Sequence, residues 1–156
     1  MSAAILNLKR VPVIPQLLLD RMPQILDSSG FKECNLIVPV PLSAKRHAER
    51  GFNQAEYIAG HVAKMLNRPI DAKTLSRKIH SAMHRASMDR KAREMSVKNA
   101  FEISRPRLID GRSILLVDDI FTSGATASNC AKALKKKGAA SVRVFTLART
   151  DVRQSA

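Results

Sequence analysis

Two adjacent carboxylates, Asp118 and Asp119, close the apolar run Ser113-Ile114-Leu115-Leu116-Val117, and a turn of small residues, Thr122-Ser123-Gly124-Ala125-Thr126, follows Phe121. Ionised carboxylates accept hydrogen bonds from sugar hydroxyls or hold a hard cation, and neighbouring side chains at a strand's carboxyl end diverge. The small turn does different work. Beyond it Ala127, Cys130, Ala131 and Leu134 recur at helical spacing, so the turn opens a helix whose first N–H groups lack intrahelical partners. Small residues let a phosphate approach those groups, helped by the Thr122, Ser123 and Thr126 hydroxyls. One favourable dipole contact is worth only about 0.3–1 kcal/mol, so several donors must act together. Acids and turn side by side suit a ribose 5-phosphate, and the spacing predicts that Gly124→Val blocks the phosphate sterically. Taken alone, an Asp-Asp pair is equally explained by loop and cap chemistry at a strand end.

The elements that hold these groups can be read outward from them. Ser113–Val117 has the length and continuous apolarity of a central strand buried on both faces. The following helix ends with Lys135, Lys136, Lys137 and Gly138, in agreement with dipole and capping rules. Val142, Val144, Phe145 and Leu147 then predict a further strand, completing a β-α-β unit. Upstream, Val13–Asp27 reads as a helix with Pro15 near its start and a break or kink at Met22-Pro23. Leu36–Pro41 reads as a short strand ended by its prolines, followed by a loop carrying Lys45, Arg46 and Arg50. Ala55, Ile58, Ala59, Val62 and Leu66 mark a helix, with Asn53 and Glu56 spaced as in a capping box. Residues 71–98 read as a basic loop with some helix, and Phe101–Ile103 as a short strand before the turn chemistry of Arg105-Pro106 and Asp110-Gly111.

Composition narrows the classes. The 156 residues are 45% hydrophobic and 26% charged, which suits one compact domain and excludes disordered, collagenous or coiled-coil chains. A formal charge of +14 favours polyanionic partners, and the excess is concentrated late: residues 1–75 hold 10 basic and 6 acidic side chains, residues 76–156 hold 17 and 7. Two distant cysteines, Cys34 and Cys130, offer neither a disulfide framework nor a CxxC metal site, and a reducing cytoplasm is the expected location. The apolar runs are too short for membrane insertion, and Ala3–Leu8 is too short for a secretory signal. There is no GxxxxGK[ST] or GxGxxG loop. His80 and His84 stand four apart without cysteine or carboxylate partners, which does not make a zinc site. With one Tyr, five Phe and no Trp, a base-stacking platform for nucleic acid has little to be built from. Arg50-Gly51-Phe52-Asn53 is explained as a glycine turn, a buried Phe and a helix cap.

The run Ile114–Thr126 resembles the phosphoribosyl pyrophosphate (PRPP) signature of type I phosphoribosyltransferases. Val38-Pro39-Val40-Pro41-Leu42, Lys45-Arg46, Glu49-Arg50-Gly51-Phe52-Asn53-Gln54-Ala55 and Leu147-Ala148-Arg149 resemble the ComF group of competence and amidophosphoribosyltransferase-like proteins. The resemblance implies an α/β chain with the type I phosphoribosyltransferase fold, a central, mainly parallel β-sheet flanked by helices. It implies that Asp118 and Asp119 serve catalysis by contacting the ribose hydroxyls of PRPP, directly or with Mg²⁺. Thr122, Ser123, Gly124, Ala125 and Thr126 would wrap the 5-phosphate. Pro41, Leu42, Ser43, Lys45 and Arg46 would meet the pyrophosphate, and the basic segment around 77–98 takes the place of a loop that closes over PRPP.

Two departures stand out. Where ComF-like chains show a Thr and Gln ahead of a Leu, then Arg and Asn three apart, this chain offers Ser81, His84, Arg93 and Ser96. The N-terminal zinc ribbon common in the group is missing from the expected plan, one phosphoribosyltransferase-like domain over residues 1–156. The functions implied are transfer of a phosphoribosyl group to a nitrogen nucleophile with release of pyrophosphate, or a non-catalytic PRPP-binding or nucleic-acid-associated module of competence and DNA uptake. Partners expected on this reading are PRPP with Mg²⁺, an unidentified nitrogen acceptor, DNA or competence proteins, and a second copy of the chain.

Overall fold

The computed structural model describes residues 12–28, 30–77 and 100–150. Its centre is the apolar run before the acids. That run forms β4 (Ser113–Phe121), which lies between β1 (Leu36–Pro39) and β5 (Ser141–Arg149), parallel to both. Ile114, Leu115, Leu116 and Val117 are all fully buried. Alternate side chains feed opposite cores, as the two-residue repeat of a strand requires: Leu115 and Val117 on one face, Ile114 and Leu116 on the other. Full burial of each such side chain stabilises by roughly 1.5–3 kcal/mol, which is why an uninterrupted apolar run occupies this position.

Helices cover both faces. On one side α1 (Gln16–Ser28) and α3 (Gln54–Leu66) bring Met22, Leu26, Ile58 and Val62 against Ile37, Leu115 and Phe145. On the other, α4 (Ala125–Lys136) packs Cys130 and Leu134 with Leu116, Ile109, Leu75 and Phe101. The last two come from a separate antiparallel ribbon of β2 (Leu75–Arg77) and β3 (Phe101–Ile103), in which Arg77 pairs with Phe101. Residues 69–71 run beside β1, joined by Ile37 N–H to Pro69 O and Asp71 N–H to Ile37 O, each 2.9 Å.

Three local expectations are corrected. Pro23 does not break α1; it sits inside one continuous helix, exposed, while its neighbours Met22 and Leu26 are each 1% exposed. The lost backbone hydrogen bond faces solvent, and burial of the opposite stripe holds the helix together. The segment after β1 is a short helix, α2 (Ala44–Arg50), rather than a loop, capped by the Ser43 hydroxyl at its start and by Gly51 at φ 72° at its end. The strand also continues past Val117 through both acids to Phe121, so Asp118 and Asp119 are strand residues. Residues 78–80 and the rest of the basic segment to 98, with His80, Ser81, His84, Arg93 and Ser96, lie outside the described residues.

Candidate functional site

The carboxyl ends of the parallel strands open into a cavity of about 330 Å³. Crevices at this end of a parallel sheet are where α/β folds bind ligands, because helix N-termini and strand-end loops converge there. Asp118 and Asp119 line it from β4, Thr122 and Thr126 from the turn that opens α4. Val40, Pro41, Leu42 and Arg46 form the wall after β1, with Arg50, Asn53, Gln54 and Ala55 beyond them and Arg77 entering from the β2–β3 ribbon.

The two acids are half-buried, and each is held by the backbone just after it. Asp119 N–H donates to Asp118 Oδ1 at 2.9 Å, and Ile120 N–H donates to Asp119 Oδ1 at 2.8 Å. Burial, reinforced by the neighbouring Asp119 charge, pushes the Asp118 carboxyl up to about 7, although the Asp119 N–H and the Arg46 charge pull the other way. Among the described residues no group of three or more His, Cys, Asp or Glu is placed to hold a metal. Two carboxylates alone fit Mg²⁺ of the kind that takes its remaining ligands from water and substrate oxygens.

The turn is shaped by Gly124, whose φ of 75° is left-handed and which is the N-cap of α4. Without a side chain there, the cap supplies no acceptor to the first-turn N–H groups. Ser123 Oγ accepts from Ala125 N–H at 3.4 Å, and Ser128 N–H donates to Gly124 O at 2.8 Å as the first helical bond. A Cβ on Gly124 would meet the Phe121 ring at 2.6 Å, so a larger residue there strains the turn from behind.

Not every residue singled out in the sequence comes together. Asp118, Asp119, Thr122, Thr126, Pro41, Leu42 and Arg46 share the cavity. Ser123 and Ala125 are exposed members of the turn, with Gly124 between them. Ser43 uses its hydroxyl to accept from Arg46 N–H at 3.3 Å, and Lys45 is placed in α2 with its side chain outside the described set.

The sequence explains Arg50 and Asn53 as structural, gives Gln54 no role, and puts Arg77 at the start of the basic segment expected to close over PRPP. Asn53 does cap α3, accepting from Ala55 N–H at 3.1 Å, but its Nδ2 also donates to Val40 O at 3.1 Å and so ties the helix to the wall after β1. Arg46 and Arg50 are four apart on α2, a spacing that puts both on one helix face. That spacing was visible in the sequence. Arg77 is a strand residue rather than part of a loop: it enters the cavity from β2, paired with β3, and its guanidinium lies 5.4 Å from the centre of the buried Phe101 ring.

A second network sets the ribbon that carries Arg77. Asp71 Oδ1 accepts from Lys73 N–H at 2.9 Å, Thr74 N–H at 3.0 Å and the Arg105 guanidinium at 2.9 Å. Burial alone would raise this carboxyl; the Thr74 hydroxyl, the two N–H groups and the Arg105 charge outweigh it and hold the pKa below the ordinary value.

Residues 53–156 match the family described as phosphoribosyl transferase domain. The chain belongs to that family, with its type I fold: a parallel β1-β4-β5 sheet covered by helices. Within it, the chain is similar to the ComF-type competence proteins. It is 33% identical over 137 residues to the DNA utilization protein YhgH of Salmonella typhimurium, covering 88% of this chain and 59% of that one. Competence protein ComFC of Bacillus subtilis is 34% identical over 116 residues (74% and 45%), and competence protein F of Haemophilus influenzae 33% over 114 (72% and 49%). The chain thus spans about half the length of the curated relatives it matches. Among solved structures, glutamine PRPP amidotransferase from B. subtilis superposes with a TM-score of 0.58 at 15% identity, covering 83% of this chain and 26% of that one. PRPP synthetase from Mycobacterium smegmatis gives 0.51 at 14% (84% and 33%). At these identities the superpositions establish the fold. No helix among the described residues is long and apolar enough to cross a membrane.

Proposed function

We propose that this chain binds PRPP and transfers its phosphoribosyl group to a nitrogen nucleophile, releasing pyrophosphate. One observation carries the reading: paired strand-end acids, a small-residue helix-opening turn and arginines from two further elements line a single cavity. The 5-phosphate takes the Thr122–Thr126 turn, accepting from first-turn N–H groups and the two threonine hydroxyls. Asp118 and Asp119 accept from the ribose hydroxyls, and they are the residues that would hold Mg²⁺, which would supply charge neutralisation. The nitrogen lone pair forms the new bond to the anomeric carbon as the bond to pyrophosphate breaks. The electron pair leaves with pyrophosphate, and the nitrogen's proton passes to solvent.

Such a displacement develops oxocarbenium character, so positioning the reactants and stabilising the departing charge are the protein's contributions. Pro41 and Leu42 hold the wall beside the leaving group, and Arg46 supplies charge. Calorimetric titration with Mg²⁺ and PRPP, then a pyrophosphate-release screen over nucleobases, amines and ammonia, tests the proposal. Asp119→Asn is expected to weaken PRPP binding at least tenfold, on the scale of about 1.4 kcal/mol per decade. Unchanged binding in that variant removes the site.

A second reading is favoured by the names of the relatives, DNA utilization and competence proteins, and by the +14 charge: PRPP or DNA binding without turnover. It predicts DNA affinity that falls steeply with salt. Residence in the cytoplasm and pairing with a second copy belong to the same proposal and are tested by fractionation and by sedimentation.

A further inference from the structure

A groove of about 500 Å³ runs along the edge of the sheet beside β1 and shares no lining residue with the cavity that holds Asp118 and Asp119. Residues 69–73 line one side of it. Ile37 N–H donates to Pro69 O and Asp71 N–H donates to Ile37 O, so these groups face β1. Backbone polar groups alternate sides along an extended chain, which turns the N–H and C=O of Ile70 away from the sheet, and neither is bonded among the described residues. Of six large hydrophobic residues exposed among the described ones, two line this groove: Ile70, 41% exposed, and Leu108, 39% exposed. The rim is positive. Lys73, Arg105 and Arg112 line it with Glu56 and Asp71, and Asp71 is taken by Arg105 at 2.9 Å. Lys73 and Arg112 have no ion pair among the described residues, which leaves two cations against the one carboxylate of Glu56.

We propose that this groove takes a short extended peptide that alternates apolar with acidic side chains, pairs with the sheet edge through the N–H and C=O of Ile70, and meets Lys73 and Arg112 with its carboxylates. An open strand edge supplies main-chain hydrogen bonds, and the surface beside it reads alternate side chains. The apolar ones cover Ile70 and Leu108. The paired stretch is short at both ends: Pro69 has no N–H, and beyond Asp71 the chain turns, with Asp71 Oδ1 accepting from Lys73 N–H at 2.9 Å. Such an edge suits one peptide segment rather than a whole second sheet. A second copy of this chain is a poor occupant, because it would bring the same two cations and another +14 of charge to the groove.

The test is fluorescence anisotropy of a labelled synthetic octapeptide alternating valine with aspartate, titrated with the full chain at low salt. Saturable binding is expected, about tenfold or more tighter than that of an octapeptide alternating valine with lysine, and weakening as salt rises. No saturable binding, or equal binding of the two peptides, overturns the proposal. Versions N-methylated at the valines or at the aspartates lose donors on opposite edges of the peptide, so at least one should bind about tenfold or more weakly. Both binding as the parent peptide does overturns strand pairing. These arms use the unaltered chain and do not depend on any variant folding. Ile70→Asp should weaken the aspartate peptide about tenfold or more, and Lys73→Gln and Arg112→Gln about two- to fivefold each; undiminished binding in all three places the peptide elsewhere and overturns the groove. Self-association in sedimentation that Ile70→Asp abolishes assigns the edge to a second copy, and displacement of the peptide by oligothymidylate assigns the cations to nucleic acid; either overturns the proposal. The peptides carry no phosphate and the groove shares no residue with the PRPP cavity, so failure here leaves the transferase reading where it stands.

Discussion

The ring of Phe121 fills the space into which a side chain on Gly124 would project, with Phe121 Cζ 2.6 Å from the position of a Cβ. The Arg149 guanidinium lies 5.5 Å from the centre of the same ring, and Thr150 N–H donates to Phe121 O at 2.9 Å. The last residue of β4 is therefore a backing for the turn that opens α4, clamped from β5.

Gly124→Ala is expected to cost about 1–3 kcal/mol of stability, from the left-handed backbone and the ring contact together. Adding Phe121→Leu should recover the contact part and leave the backbone part, giving a coupling above about 0.5 kcal/mol in a double-mutant cycle. Strictly additive denaturation midpoints would show that ring and glycine do not press on one another.

Asp118 carries the clearest pH dependence. Its carboxyl titrates near 7 in the native protein against about 4 when unfolded, so the native state binds the proton more tightly. The associated stability is complete below about pH 4 and is lost as pH rises through 7. Asp118→Asn should therefore stabilise the ligand-free protein relative to the parent at pH 8, by about 1–3 kcal/mol, with the advantage shrinking towards pH 4. The same variant should bind PRPP more weakly. Thermal melts from pH 4 to 8 check this, and a stability difference independent of pH contradicts it.

Asp71 has the opposite sign. Its pKa is depressed, so its contribution is present above the ordinary carboxylate value and lost as acid protonates the native group. Asp71→Asn should cost about 1–3 kcal/mol at neutral pH, because Thr74 and Arg105 lose a charged acceptor, and the penalty should fade in acid. The β2–β3 ribbon rests on this residue, so hydrogen exchange at Leu75–Arg77 should quicken in the variant. Unaltered exchange there would separate Asp71 from the ribbon.

Both thiols should be inert in the folded protein. Cys34 and Cys130 are each 0% exposed, and burial, helped by the Asp118 charge, pushes the Cys130 thiol up to about 12. A disulfide reagent at pH 8 is expected to titrate neither cysteine natively and both in guanidinium chloride. Rapid native labelling of Cys130 would mean that the packing of α4 on β4 opens readily.

The order strand, turn, helix from Ser113 to Lys136 was legible because each signal acts over a few positions (apolar continuity, small turn residues, apolar residues at helical spacing, lysines in the last turn), although the strand runs on to Phe121 and the helix starts at Ala125. The acids and threonines of the site belong to that stretch. The α2 helix was harder to read, since Ala-Lys-Arg-His-Ala-Glu-Arg has no apolar stripe, and only its caps Ser43 and Gly51 mark it. Pro23 misled for the converse reason: a local rule against proline was outweighed by the burial of Met22 and Leu26 on the sheet.

Local order along the chain thus specified the half of the cavity built on β4 and α4. The opposing half, where Arg46, Arg50 and Arg77 face the acids, exists only after β1 has paired with β4 and the ribbon has packed on α4. Their side chains are separated from Asp118 by 41 to 72 positions of sequence, a distance over which no propensity or spacing rule operates. Burial of apolar surface between remote segments is what brings them together.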